Sequence, residues 1–210
     1  GVDNTGATDA SSALNALMQN GGVFFFPNGT YLLDEQLLIN SNTTIVGESL
    51  NAILKASNSL DAVYHTVCSS NASNINARLG VNPDSPFIAQ GYPNVNDVCH
   101  DYVDNVIIAN ISINGNWNNR DLTNWDKTYI NGQYTITREP GTNLELQRVR
   151  NVILSNVFSY NGIQHNFNVR AGSYSYNQGV DIEALYPSEY VTIRNCHASN
   201  QRYDDAITTH

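Results

Sequence analysis

Asn105-Val-Ile-Ile-Ala-Asn-Ile-Ser-Ile-Asn114 is the stretch that decides the fold, because the chain repeats it twice with variations. Asn151-Val-Ile-Leu-Ser-Asn-Val-Phe-Ser-Tyr160 and Tyr190-Val-Thr-Ile-Arg-Asn-Cys-His-Ala-Ser199 have the same construction. Each is a short β-branched strand, an asparagine at the sixth position, and a second alternating strand. Repetition at this spacing marks a solenoid, in which each turn buries its apolar side only by stacking on the next. Position 106 recurs at 152, a step of 46 that reads as two turns of 23. The next step, 152 to 191, is 39, so some turn is shortened or carries a loop.

The composition agrees. In 210 residues there are 31 asparagines and 14 glycines between runs of Val, Ile and Leu. Few charges and many turn formers favour short strands over helices. Asparagine tolerates the left-handed backbone and suits tight corners. One per turn in register, as at Asn110, Asn156 and Asn195, predicts a buried side-chain ladder. A net charge of -9 with only two lysines, Lys55 and Lys127, argues against nucleic acid as a partner. No apolar run is long enough to insert across a membrane. Of the three cysteines, Cys196 falls in a repeat strand and reads as a buried thiol, while Cys68 and Cys99 are candidates to pair across a loop. Four Asn-x-Ser/Thr sites, at Asn28, Asn42, Asn71 and Asn110, are expected by chance in so asparagine-rich a chain.

Along the chain, Ala10, Ala13, Leu14, Leu17 and Met18 share one face of a short helix that follows Thr8-Asp9 and ends at Gly21-Gly22. Val23-Phe-Phe-Phe26 reads as a buried strand, and further strands are predicted at Thr30–Leu33, Leu37–Ile39, Thr44–Val46 and Ala52–Leu54. Gly1–Asp9, the helix, Gly21–Tyr31 and Thr43-Thr-Ile-Val-Gly-Glu48 together resemble the N-terminal module of the pectate-lyase-like superfamily. That resemblance covers about the first 50 residues. It implies an all-β fold, a right-handed parallel β-helix with a short capping α-helix, as one domain over 1–210. The chain starts without methionine and stops after a strand-like run, so it reads as a piece of something longer. Residues 57–104, with Pro83, Pro86 and Pro93, and 115–142, with Trp117, Trp125, Tyr129 and Tyr134, break the rhythm and are expected to be loop excursions. Trp117 and Trp125 are candidate walls for sugar rings, or simply cover their own loop.

The last third carries the acids. In Gln178-Gly-Val-Asp-Ile-Glu-Ala184, Val180 and Ile182 would point inward and Asp181 and Glu183 outward. Aligning Ile182 with Ile207, a step of 25, would stack Asp204, Asp205 and Thr208 on the neighbouring rung. Four carboxylates would then share a small area, and repulsion would raise at least one pKa, as a general acid needs. His165 and Arg170 would flank them if Phe167 aligned with Ile182, but that step of 15 implies a squeezed turn or a wrong register. Glu145 and His210 complete the set of candidate substrate-binding residues. The alternative for the whole set is a solvated acidic face.

Gly179–Glu183 and Asp204–His210 also resemble β-helix phage tailspikes and capsule depolymerases, and the Asp-Asp step more loosely resembles polygalacturonase-like hydrolases. On that resemblance Asp204 and Asp205 form the acid/base pair, or one of them pairs with Asp181 or Glu183. Gln178 departs from the hydrolase pattern, where an aspartate stands before the glycine. The resemblance implies a polysaccharide substrate, a homotrimer and a place on the virion surface or outside the cell. Glycoside hydrolysis is the leading activity. A polysaccharide lyase and a non-catalytic glycan-binding β-helix are the alternatives. No cofactor or metal is expected, Ca²⁺ entering only for a lyase.

Overall fold

The computed structural model describes residues 1–72, 101–122, 127–130, 133–136, 141–171, 176–177, 180–181, 187–203 and 205–209. Its strands are β1 (Thr5–Asp9), β2 (Gly22–Phe26), β3 (Gly29–Leu33), β4 (Leu37–Ile39), β5 (Thr43–Gly47), β6 (Ala52–Ala56), β7 (Val67–Ser69), β8 (Val103–Asn114), β9 (Lys127–Ile130), β10 (Gln133–Ile136), β11 (Leu144–Gln147), β12 (Val149–Tyr160), β13 (Phe167–Arg170), β14 (Tyr176–Asn177), β15 (Val180–Asp181), β16 (Glu189–Arg194), β17 (His197–Ser199) and β18 (Ile207–Thr209), with one α-helix, α1 (Ser11–Met18).

Parallel pairing winds these strands into a three-faced β-helix, except for β9/β10 and β14/β15, each of which forms an antiparallel pair. Face A stacks β2, β5, the first half of β8, the first half of β12, and β16. Face B stacks β1, β3, β6, the second halves of β8 and β12, and β17. Face C stacks β4, β7, β11, β13 and β18. Alternate residues point inward, so Ile45, Val106, Ile108, Val152 and Leu154 from face A meet Leu54, Ile111, Ile113 and Val157 from face B and Leu37, Val67, Leu144 and Phe167 from face C. Helix α1 stands where a face C strand would precede β4, and packs on β4 and β3. Ala10, Leu14 and Met18 are buried there, while Ala13 and Leu17 are exposed, so the apolar side of the helix is narrower than its sequence suggests. Asp9 anchors its start by accepting hydrogen bonds from the Ser11 and Asp34 amides. Burial pushes the Asp9 carboxyl up, but its hydrogen bonds outweigh that and hold it below the usual carboxylate range.

The repeated phrase is one bent strand crossing from face A to face B. Val106 pairs directly with Val152, and Val152 with Val191. The step of 46 is therefore one turn, not two, because residues 115–142 lie within that turn. The step of 39 is likewise one turn, carrying residues 171–188. The bend is made by the sixth-position asparagine, with φ 52° at Asn110, 54° at Asn156 and 52° at Asn195. Asn105, Asn151 and Asn161 are left-handed too. Of the predicted ladder, the step from Asn156 Nδ2 to Asn110 Oδ1 forms at 2.9 Å, and at the preceding corner Asn105 Nδ2 donates to Asn42 Oδ1 at 3.0 Å. The ladder lies on the surface and is not buried, because a left-handed corner turns its side chain out of the coil: Asn110 and Asn195 are exposed and Asn156 is half-buried. Asn156→Ala is expected to destabilise the fold by about 1–2 kcal/mol, with Asn156→Gly costing roughly 1 kcal/mol less, since glycine keeps the corner. Urea denaturation of the two variants side by side measures this.

Two other expectations change, and a third falls outside the described residues. Val23–Phe26 alternates instead of being buried throughout: Val23 is 81% and Phe25 63% exposed on the outer side of face A. Cys196 is half-buried, not buried. Cys68 is buried on β7 with Sγ 3.8 Å from Gln36 Oε1, and Cys99 lies outside the described residues.

Candidate functional site

Face C carries polar side chains where its outer surface should meet water. Strand β11 turns Leu144 and Leu146 into the core and Glu145 and Gln147 out; β13 does the same with Phe167 and Val169 against Asn168 and Arg170. The register stacks Cys68, Glu145, Asn168 and Thr208 in one row and sets Gln147 beside Arg170. All six are buried. Buried polar groups need partners, and these supply one another. Arg170 Nε lies 2.6 Å from Glu145 Oε1, a charge contact more than an aligned hydrogen bond. Asn168 Nδ2 donates to Glu145 Oε2 at 3.0 Å, and Arg170 Nη2 donates to Gln147 Oε1 at 3.3 Å.

Two histidines flank the row. His65 Nδ1 stands 3.9 Å from Glu145 Oε2, yet the same nitrogen accepts the Thr142 amide at 3.0 Å. A nitrogen that accepts carries no proton, so the Glu145 contact is not an ion pair in this arrangement. His165 Nδ1 lies 3.2 Å from the Asp205 carbonyl and 3.1 Å from Thr208 Oγ1. The carbonyl can only accept from Nδ1, whereas the Thr208 hydroxyl can donate to it or accept from it, so the two oxygens suit opposite tautomers.

Sequence reasoning thus named Glu145, His165 and Arg170 together, and they do share one neighbourhood, though by a different register. Ile207 pairs with Phe167, a step of 40. Asp181 lies on β15, which pairs antiparallel with β14. The expected stacking of Asp181 and Glu183 on Asp204 and Asp205, aligned through Ile182, involves residues outside those described and stays an expectation of the spacing. Asp205 is exposed at the end of the row. Glu183, Asp204, His210 and Trp125 lie outside the described residues. Trp117 sits at the corner after face B, away from the Glu145 row on face C, with Nε1 donating to the Asn200 carbonyl at 3.1 Å and the Arg202 guanidinium 4.8 Å from its ring.

At the helix end of face C is a cavity of about 330 Å³ lined by Asn15, Asp34, Glu35, Gln36, Leu38 and Tyr64. Asp34 and Glu35 were not singled out from sequence, where adjacent acids between two strands look like a solvated turn. Tyr64 is positioned by Arg120, which is buried and donates to the carbonyls of Leu60, Asp61 and Tyr64 at 2.9, 2.6 and 2.9 Å. Burial pushes the Arg120 guanidinium down to about 10, against the pull of Asp61, and leaves it cationic at neutral pH. Among the described residues no three His, Cys, Asp or Glu side chains converge as a metal-ligand set. Among them, too, no helix is long and apolar enough to cross a membrane.

Stacked parallel rungs, asparagine corners and a helix closing the first turn define a pectate-lyase-like parallel β-helix. The chain belongs to the family described as rhamnogalacturonase A/epimerase, pectate lyase-like, whose model matches residues 1–210. The preneck appendage protein of Bacillus phage PZA is 22% identical over 212 residues, which take in 100% of this chain and 20% of that protein. The chain thus spans about a fifth of the length of the curated relatives it matches. Among solved structures, the pre-mature bacteriophage phi29 gene product 12 aligns with a TM-score of 0.69 at 22% identity, over 100% of this chain and 23% of that one. The Streptococcus pneumoniae surface protein and adhesin PfbA aligns with a TM-score of 0.53 at 17% identity, over 97% of this chain and 40% of that one. At these identities the structural likeness shows the fold.

Proposed function

We propose that this chain is the glycan-engaging β-helix of a virion appendage and that it cleaves a bacterial surface polysaccharide by glycoside hydrolysis. The observation that carries this reading is face C, where the exposed carboxylates of Asp34 and Glu35 at one end and of Asp205 at the other flank a row whose buried groups hold the rungs rigid. Exposed carboxylates spaced along a rigid face suit an extended sugar chain. Hydrolysis requires two carboxyls, roughly 5 Å apart for retention or about 6.5–9.5 Å for inversion. Asp204 and Asp205 are the proposed acid/base pair, with Asp181 and Glu183 as the other acids that one of them could pair with. Glu145 is excluded from acid/base duty here by its buried contact with Arg170 and serves to fix the row.

The family supports a polysaccharide substrate, and the phage appendage relatives support a virion setting. Three such β-helices side by side belong to the same proposal. The outer side of face A, apolar at Val23, Phe25, Ile107 and half-buried Ile153 and charged at Arg194 on the last rung, is the surface that such packing would cover. Ca²⁺ belongs only to the lyase alternative.

The test is a digest of candidate capsules read by mass spectrometry. Asp204→Asn and Asp205→Asn are expected to lower cleavage at least about 100-fold while binding persists. New reducing ends without ultraviolet-absorbing unsaturated products mark hydrolysis. Unsaturated products would mark elimination instead, and retention of glycan without any cleavage by the unaltered chain would leave a binding-only β-helix.

A further inference from the structure

A second groove lies at the corner between faces C and A. Gln19 and Asn20 at the end of α1, Asn40, Ser41 and Asn42 between β4 and β5, Ser70 and Asn71 after β7, and Asp101, Tyr102 and Val103 at the start of β8 enclose about 520 Å³. That size falls in the range of small-molecule sites. Apart from Asp101, the described lining consists of amides, hydroxyls and one valine.

Its side chains are already aimed. Asn40 Nδ2 donates to the Met18 carbonyl at 3.3 Å, Ser41 Oγ accepts the Asp104 amide at 3.0 Å, and Asn71 Nδ2 donates to the Asp101 carbonyl at 3.1 Å. Asn42, left-handed at φ 61°, accepts at Oδ1 from Asn105 Nδ2. Each of these bonds fixes a rotamer and uses half of the group's capacity. What remains is the Oδ1 acceptor of Asn40, the hydroxyl donor of Ser41 and the Nδ2 donors of Asn42. Donors and acceptors alternating on a rigid rim match the vicinal hydroxyls of a sugar, each of which both donates and accepts. The ordering cost of binding is already met by the fold. The described rim also disfavours anions: among the described lining residues the one charge is the Asp101 carboxylate, the carboxyl end of α1 presents the negative pole of the helix, and the nearby Arg148 and Arg150 guanidiniums are stacked on the Tyr102 ring at 4.4 and 4.6 Å.

We infer that this groove is a binding subsite for an uncharged saccharide, separate from face C. The inference rests on the reading that the β-helix engages glycan, and it does not depend on hydrolysis. A neutral sugar held one corner away from the row would keep the polysaccharide attached between cleavage events.

The test is a titration of the ¹⁵N-labelled 210-residue chain with maltotriose, chitotriose and trigalacturonate, each to about 10 mM, in the range of weak single-site binding. At least one neutral trisaccharide is expected to shift resonances of residues 19–20, 40–42, 70–71 and 101–103, and trigalacturonate to leave them unmoved. Asn42→Gly keeps the left-handed corner and removes the amide, and Asn20→Ala removes a second amide from a turn. The pair together is expected to weaken neutral binding about tenfold, as the loss of one or two hydrogen bonds implies, with polysaccharide cleavage at saturating substrate unchanged. Shifts confined to face C would overturn the groove and leave the glycan reading standing. Shifts nowhere with any of the three sugars would overturn both. A response to trigalacturonate as strong as to the neutral probes would overturn the stated selectivity and with it the inference.

Discussion

Glu145→Leu is expected to destabilise the protein by roughly 3–5 kcal/mol, because it strands the Arg170 guanidinium in a buried site. Glu145 is 1% and Arg170 7% exposed, so water does not replace the missing carboxylate. The substitution also removes the acceptor for Asn168 Nδ2 and leaves that amide to find another. The cost arises from the unpaired charge more than from the pair itself. Taking both charges out of water is expensive, and a buried pair is often no better than an apolar one of similar volume. The double change Glu145→Leu with Arg170→Met is therefore expected to recover most of the loss, returning to within about 1–2 kcal/mol of the starting stability. In urea the single change corresponds to a midpoint lower by about 1–2 M, for an unfolding slope near 2–3 kcal/mol per M. A single variant that melts like the parent, or a double variant no better than the single, would show that the two groups do not act as a pair.

Arg120→Met should have the other large effect, and a local one. The guanidinium satisfies the carbonyls of Leu60, Asp61 and Tyr64 and reaches towards that of Gly115 at 3.4 Å. Each buried carbonyl left without a donor costs about 1–3 kcal/mol. The sum exceeds what a surface turn can bear, so residues 57–64 are expected to open while the rungs stay wound. Amide exchange reports this directly. The Tyr64 amide, bonded to the Asp61 carbonyl, and the Gly141 amide, bonded to the Ala62 carbonyl, should lose protection, while Val152 and Leu154 keep theirs. Continued protection of Tyr64 and Gly141 would sink the idea that Arg120 holds the segment. Since Leu60 and Tyr64 line the face C cavity, the variant should also weaken any ligand bound there.

The coil was legible because its corners are written in one residue type. An asparagine at a left-handed position after five strand residues leaves a mark that survives wide variation elsewhere, and the same mark aligned 106 with 152 and 152 with 191 in register, although it read the first step as two turns. What sequence spacing could not separate was winding from insertion. One turn takes 23 residues from Leu144 to Phe167, 46 from Val106 to Val152 and 63 from Ile45 to Ile108. A step of 46 has the same length whether it is two plain turns or one turn with a loop. The candidate site inherited that ambiguity. Glu145 and Arg170 lie in adjacent plain strands and meet in one neighbourhood, whereas the spacing that set Asp181 a rung from Asp205 starts inside the β14/β15 hairpin. Asn40, Ser41 and Asn42 had no signal at all, because a polar turn and a sugar-binding rim use the same residues.

The corner from face A to face B has a consequence for how such a molecule changes over generations. In the turns built on β8, β12 and β16, that corner is a single asparagine, whereas every long insertion enters or leaves at the edges of face C. One extra residue at Asn156 would reverse the parity of the strand after it, turning Val157 outward and Phe158 inward against neighbours that had not moved. Residues added within 115–142 or 171–188 disturb no such parity. Insertions can therefore accumulate freely along one side of the molecule, while the two walls behind it tolerate none without losing their register.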